Sequence, residues 1–266
     1  MGLWKLKWLK DQFFSRSNYK TNADILKYPL VFNATLLFKL IPGFYKRPVK
    51  FKLKSGGSLL IPDFLSAYIY WEIFLLKIYD FSELKSDKIT ILDVGANIGL
   101  ATLRFKMKYP DSEVYCFEPY KPHFEMLNNN ILNSKFKGIY PYQFGLAGDK
   151  RHAMFYLHAK NSGAHSIYPE DLSYKTIEID LIDISEALSY TKSGRCDLLK
   201  LDCEGAEYEI LKSINKSIAP KIINIVYEAT IDRYDPAEIN EHLKSVGYHV
   251  EQINGYIYKA TFAGLS

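Results

Sequence analysis

Two short runs of the chain combine acids, glycines and an amide at spacings that could do chemistry. The first is Asp93-Val94-Gly95-Ala96-Asn97-Ile98-Gly99, which follows the apolar pair Ile91-Leu92. Glycines after a strand allow a tight turn and a close backbone approach to a ligand, with a helix N-terminus just beyond. The second run, Asp197-Leu198-Leu199-Lys200-Leu201-Asp202-Cys203-Glu204-Gly205-Ala206-Glu207, brings Asp202 and Glu204 to the end of another apolar stretch. Between them, Glu118 closes Tyr115-Cys116-Phe117-Glu118-Pro119. A doubly wound fold places there the acid that accepts hydrogen bonds from ribose hydroxyls. Glu228 follows the apolar run Ile222 to Tyr227, and His165 stands in the polar stretch Asn161-Ser162-Gly163-Ala164-His165-Ser166.

A glycine turn alone reads equally as a plain strand-to-helix connection, so its partners decide the chemistry. A dinucleotide dehydrogenase usually has glycine where Asn97 stands and lacks an aspartate on the strand before the turn. Asp93 and Asn97 therefore favour S-adenosylmethionine, whose ammonium and polar tail need carboxylate and carbonyl acceptors. Glu204 and Glu207 would also suit the dipole of the helix that follows them. Glu207 is read as such a cap and Asp202 as functional. A hydroxyl acceptor is a poor nucleophile at neutral pH, and a positioned base is worth roughly 10²- to 10⁴-fold. Asp202, Glu204, Glu228 and His165 are the candidates, although His165 reads equally well as an exposed loop histidine and His123 as structural. Asp202, Glu204 and Glu228 could hold a magnesium-type ion. Carboxylates beside a cationic donor already have a purpose, so no metal is expected.

The elements that must position these groups alternate. Strands are predicted at Ile89–Val94, Glu113–Phe117, Ile139–Phe144, Leu198–Leu201 and Ile222–Tyr227. Helices are predicted at Gly99–Tyr109, Pro122–Asn133, Ala206–Ile214 and Pro236–Val246. Such alternation specifies an α/β fold, Rossmann-like, with a mostly parallel sheet flanked by helices. A hairpin-like insertion is expected over Arg151–Leu157, and a closing antiparallel hairpin turns at Asn254-Gly255. Before the core, residues 1 to about 45 read as helical, and a β-hairpin turns at Ser55-Gly56-Gly57. Ser66 to Phe81 reads as one helix, with Tyr68, Tyr70, Trp71 and Tyr79 as a possible lid. The division expected is 1–85 for this extension and 86–266 for the main domain.

The 266 residues carry 34 basic and 30 acidic side chains, a net +4 spread along the chain that does not call for nucleic acid. Cys116, Cys196 and Cys203 show no CxxC spacing and read as reduced core thiols, which points to a cytoplasmic protein. No signal peptide is legible in the first residues. Tyr28 to Phe44 is apolar but interrupted by Asn33, Thr35 and Lys39 before it reaches spanning length. Trp4 and Trp8 among Lys5, Lys7 and Lys10 leave peripheral membrane contact open.

Asp93-Val94-Gly95-Ala96-Asn97-Ile98-Gly99, Phe117-Glu118-Pro119 and Leu199-Lys200-Leu201-Asp202-Cys203-Glu204-Gly205-Ala206-Glu207 resemble, in order and spacing, the FkbM family of methyltransferases. The resemblance covers roughly residues 50 to 260; Cys203 departs from the branched aliphatic residue usual there, and a small buried thiol can replace it in packing. It implies S-adenosylmethionine as donor and an acceptor hydroxyl on a sugar, glycan or natural product. By position it implies that Gly95, Asn97 and Gly99 line the donor, Asp93 supports its methionine end, Glu118 holds the ribose and Asp202 lies near the transferring methyl. Two rival readings remain: methylation of nucleic acid or protein, and a catalytically silent Rossmann-fold binding protein.

Overall fold

The computed structural model describes residues 15–38, 47–80, 84, 86, 88–158, 161, 163–169 and 171–264. Trp4, Trp8 and their neighbouring lysines lie outside them. Among the described residues, no helix is long and apolar enough to cross a membrane. The backbone forms two units, residues 1–78 with 128–136, and residues 79–127 with 137–266.

In the first unit, helices α1 (Arg16–Ile25) and α2 (Pro29–Phe38) precede the antiparallel pair β1 (Val49–Lys52) and β2 (Ser58–Ile61). Ser15 and Asp63 open α1 and the helix α3 (Phe64–Tyr70) by accepting the N–H groups of Asn18 and Ser66, which the first helical turn leaves unpaired. The helix expected over Ser66–Phe81 therefore starts earlier, at the Asp63 cap. It then widens into a π-helix over Trp71–Leu76 and stops at Lys77, which turns left-handed at φ +59° and donates its N–H back to the Glu72 carbonyl. Phe32 packs edge-on to Phe51 and tilted against Tyr70, whose hydroxyl donates to the buried Asn22 amide oxygen at 2.9 Å. Tyr70 is thus a core residue. Asn130 imitates a strand edge: it accepts from the Leu60 N–H at 2.7 Å and donates to the Leu60 carbonyl at 3.2 Å.

The second unit contains β3 (Thr90–Val94), α4 (Leu100–Lys108), β4 (Glu113–Phe117), the start of α5 (Lys121–Ser134) and β5 (Ile139–Tyr142). After β6 (Gly145–Leu146), β7 (Arg151–Leu157), β8 (Lys175–Ile182) and α6 (Ile184–Ser189) come β9 (Cys196–Leu201), α7 (Glu207–Ser213), β10 (Ile222–Glu228) and α8 (Pro236–Ser245). The chain closes with β11 (Tyr248–Asn254) and β12 (Ile257–Phe262). The main sheet runs β11-β12-β10-β9-β3-β4-β5, and only β12 opposes the rest. Its central strands read as continuous apolar runs because both faces are buried; Leu92, Leu198, Leu199 and Ile225 are fully inaccessible.

Two features differ from the expectation. Arg151–Leu157 is one strand, paired antiparallel along its whole length with β8, a strand the sequence reading missed. Lys175–Ile182 alternates polar with apolar residues because only one of its faces is covered: its Ile179 and Leu181 cluster with Ala147 and Phe155. The closing antiparallel hairpin forms as expected, with β12 between β10 and β11. Glu228 is the last residue of β10 itself.

The parallel register decides where the chemistry lies. Val94 pairs with Phe117 on one side and Leu201 on the other, and Leu201 pairs with Tyr227. Strand neighbours lie about 4.8 Å apart, so Glu118, Gly95, Asp202 and Glu228 follow one another along a single sheet edge. The chain passes from β3 outward through β4 and β5, then returns to place β9 on the other side of β3. Ligands of such sheets bind at that reversal, beyond the carboxyl ends of the strands.

At the reversal the β3 and β9 loops meet without room for a side chain. Gly95 has φ +72°, and a Cβ there would lie 1.9 Å from the Asp202 carbonyl oxygen. Gly95→Ala is expected to cost about 3 kcal/mol from strain and displacement of the β9 loop, read as a lowered urea midpoint of the ligand-free protein.

Candidate active site

The loop after β3 departs from ordinary backbone at Gly95 and again at the left-handed Asn97, φ +50°. That geometry turns the Asn97 N–H toward Glu118, whose Oε2 accepts it at 2.8 Å while Oε1 accepts the Tyr120 N–H at 2.9 Å. Glu118 is only 5% exposed. Burial pushes its carboxyl up to about 7, against the two backbone hydrogen bonds and the distant Lys200 charge. Gly99 caps α4 at φ +88°, where a Cβ would meet the Leu127 side chain at 2.6 Å.

Asp93 points into the interior rather than out of the sheet edge. It is inaccessible, accepts the Thr102 hydroxyl at 2.6 Å on Oδ2, and faces Lys200 Nζ at 3.2 Å with Oδ1 as an ion pair without an aligned hydrogen bond. Lys200 Nζ donates to the Val94 and Gly95 carbonyls at 3.1 and 2.9 Å and lies 3.7 Å from Asp202 Oδ2. Burial lowers the Lys200 ammonium pKa, but Asp93 and Asp202 outweigh it and raise it above the ordinary lysine range. The Tyr79 hydroxyl donates to Asp202 Oδ2 at 2.9 Å, and its ring lies over Lys200 Nζ at 5.5 Å. Sequence reasoning gave Lys200 no role and Tyr79 only a loose one. The available signal was a lysine between the apolar residues Leu199 and Leu201 of a central strand, a buried position lysine occupies only when paired.

Glu204 adopts φ +56° and Gly205 φ +112° in the loop after β9. Burial first, then Asp202, Glu207 and Glu228, push the Glu204 carboxyl up to about 8, with Arg233 opposing them. Glu207 caps α7 as expected: its carboxylate accepts the Cys203 N–H and, at 2.8 Å, the Gly205 N–H, and burial raises it to about 7. Asp202, Glu204 and Glu228 therefore gather at one edge. Among the described residues, no group of three or more His, Cys, Asp or Glu side chains is arranged to hold a metal ion.

His165 stands apart from that cluster, stacked on His123 with centroids 5.5 Å apart and edge-on to Tyr120. Its Nδ1 accepts the His158 N–H at 3.0 Å, so the neutral ring carries its proton on Nε2. Burial and His158 lower its pKa to about 4. The half-buried ring is thus fixed, not a freely exposed loop histidine, and His123 lies 4.0 Å from Glu118 Oε1. Ser166, one residue on, reaches the other group by donating to the Glu204 carbonyl at 2.6 Å. All three cysteines are unpaired, with Cys116 and Cys196 buried.

The family model described as the methyltransferase FkbM domain matches residues 93–250, which span the glycine loop, Glu118 and the whole acidic edge. The chain belongs to the FkbM methyltransferase family. Methyltransferase 1 of Beauveria bassiana is 29% identical over 202 residues, covering 69% of this chain and 81% of the relative. Methyltransferase sdnD of Sordaria araneosa is also 29% identical, over 67% of this chain and 79% of its own length. The AMB antimetabolite synthetase AmbE of Pseudomonas aeruginosa is 27% identical over 69% of this chain, which corresponds to 10% of that protein. The crystal structure of methyltransferase FkbM from Methylobacillus flagellatus KT superposes with a TM-score of 0.52 at 17% identity, covering 96% of this chain. This chain spans 60% of the length of that one, and at that identity the likeness speaks for the fold. An FkbM methyltransferase of class I architecture accounts for both the sheet order and the motif positions.

The raised carboxyls of this FkbM methyltransferase have a measurable consequence. Glu118, Glu204 and Glu207 hold protons in the folded chain at pH values where the unfolded chain, with carboxyls near 4.5, has released them. Stability then falls as pH rises. His165, lowered from 6.5 to about 4, acts in the opposite direction but only below 6.5. The window free of that opposition is pH 6.5 to 8. The urea midpoint of the ligand-free protein is expected to drop across this window, and Glu204→Gln to flatten the drop near its upper end.

Proposed function

We propose that the chain transfers a methyl group from S-adenosylmethionine to a hydroxyl oxygen of a sugar, glycan or natural product. The buried Glu118 carboxylate carries the reading. Each of its oxygens accepts one backbone N–H, which leaves one further acceptor position on each. A ribose diol brings two hydroxyl donors to fill them, and charge-assisted bonds of that kind repay the burial that raises the carboxyl. Gly95 and Asn97 open the backbone at the neighbouring strand end. Asp93 acts from below, through Thr102 and Lys200, by fixing the loop that the donor's methionine end would approach. The residues present fit the donor.

When bound, the donor supplies a methyl group on a positively charged sulfur, already activated for attack. The chain must then orient the acceptor oxygen, exclude water and take the hydroxyl proton. Glu204 is assigned as the base because its carboxyl, at about 8, is matched to neutral working pH. Asp202 is held by the Tyr79 hydroxyl and the Lys200 ammonium and serves as a fixed anion. Glu228 adds negative charge that keeps Glu204 basic. His165 commits Nδ1 to the His158 N–H and carries its proton on Nε2, so it is not assigned as the base. The name of the antimetabolite synthetase that shares this region supports a natural-product acceptor.

Calorimetric titration is expected to show binding of S-adenosylmethionine and S-adenosylhomocysteine and none of NAD. Glu118→Gln should weaken both by about tenfold or more, the loss of a charged hydrogen-bond acceptor, and lose its dependence on pH near 7. NAD binding, or full affinity in that variant, would remove the reading. With an acceptor found by screening sugars and natural products against methyl-labelled donor, Glu204→Gln should cut turnover roughly 10²- to 10⁴-fold at unchanged donor affinity.

A further inference from the structure

Beyond the end of β10, the chain turns through Ala229–Asp235 and carries Arg233 back over the β9 loop. The arginine stem lies flat on Gly205: a Cβ added there would be 2.6 Å from Arg233 Cδ, 3.2 Å from Arg233 Nε and 3.2 Å from the Tyr168 ring. Gly205 is thus bare for two reasons, its φ of +112° and the side chain laid across it. Tyr168 is itself anchored, its hydroxyl donating to Glu209 Oε1 at 2.7 Å and its N–H to the Ser166 hydroxyl at 3.0 Å. Ser166 in turn holds the Glu204 carbonyl. Arg233 is therefore positioned by packing at its stem, one residue from Glu204.

Among the described residues, nothing closes on the charged end of Arg233. Arg151 closes its fork on Glu209 and Asp149, and Arg104 closes its fork on Asp80. Arg233 closes no ion pair or side-chain hydrogen bond among the described residues, although it is near enough to Glu204 to oppose its raised pKa. A guanidinium offers five N–H donors in a planar fork that fits carboxylate and phosphate oxygens two at a time. The fork is held beside the assigned base, at the carboxyl edge of the sheet.

We infer that Arg233 selects the acceptor, and that the molecule methylated carries an anionic group, a carboxylate or a phosphate, near the reacting hydroxyl. The inference rests on the methyltransferase reading above and names the substrate class of that site. Binding an anion through Arg233 fixes the acceptor relative to Glu204, so the hydroxyl reaches the base in one orientation. It also satisfies the guanidinium without neutralising Asp202 or Glu204.

The test uses the full chain loaded with S-adenosylhomocysteine and three matched probes followed by ligand-observed NMR titration. Methyl glucoside is neutral, methyl glucuronide adds a carboxylate, and glucose 6-phosphate adds a phosphate. At least one charged probe is expected to bind about tenfold or more tighter than methyl glucoside, a difference of about 1.4 kcal/mol or more, and whichever does so identifies the anion. Arg233→Gln should bring the charged probes down to the neutral level while keeping its affinity for S-adenosylhomocysteine, which shows that the variant is folded. Arg233→Lys should retain part of the preference. Equal binding of all three by the natural chain, no binding by either charged probe, a preference that survives Arg233→Gln, or an equal change for every probe would overturn the assignment. Failure of the natural chain to bind S-adenosylhomocysteine would instead overturn the methyltransferase reading.

Discussion

One buried ammonium group holds the edge of the sheet together. Lys200 sits near the end of a buried strand, yet its Nζ reaches the carbonyls of Val94, at the end of the neighbouring strand, and of Gly95, in the loop after it, and two carboxylates, one below the edge and one on it. A lone charge at that depth would be forced toward neutrality by desolvation. Here Asp93 and Asp202 overcompensate, and each is in turn made tolerable by the lysine. Removing the ammonium would leave Asp93 buried with only Thr102 to satisfy it, a loss of about 3–5 kcal/mol by comparison with other broken buried pairs. The β3 loop and the β9 loop thus share one electrostatic tie at the place where they are also too close for a side chain at Gly95.

That tie allows the remaining edge to be acidic and under tension. Glu118, Glu204 and Glu207 are all raised by burial, each incompletely repaid by backbone N–H groups or neighbours. Unfinished hydrogen bonding at a buried carboxylate is a cost to the ligand-free fold and a source of binding energy when a ligand completes it. The backbone shows the same character. Asn97 and Glu204 adopt left-handed conformations that non-glycine residues rarely hold, one on each side of the reversal in strand order. Stability is given up along this line and regained in the closely packed strands beneath it.

Two loops remote in sequence finish the surroundings of that edge. The stretch after β7 brings His165 onto His123 beside Glu118, and Ser166 onto the Glu204 carbonyl, so a single connection touches both the Glu118 side and the β9 loop. The turn after β10 lays Arg233 on Gly205. Neither is part of the parallel core; both are positioned by it.

The sequence by itself determined the elements whose signal is local. A glycine turn after an apolar strand, an acid closing the next strand, and an Asp-x-Glu-Gly run closing a third can be read residue by residue, because tight turns and buried parallel strands restrict composition strongly. From these the α/β class, the family and the line of Gly95, Glu118 and Asp202 were legible. The pairing of Arg151–Leu157 with Lys175–Ile182 was not, since antiparallel partners separated by a long connection leave no mark in either strand alone. Nor did local pattern reveal that Asp93 faces inward, that Lys200 is the tie between loops, or that Tyr79 belongs to Asp202. Those assignments depend on which strands become neighbours and in what register. Register is a property of the whole sheet, chosen by the packing of all its strands at once, and only the tertiary structure decides it.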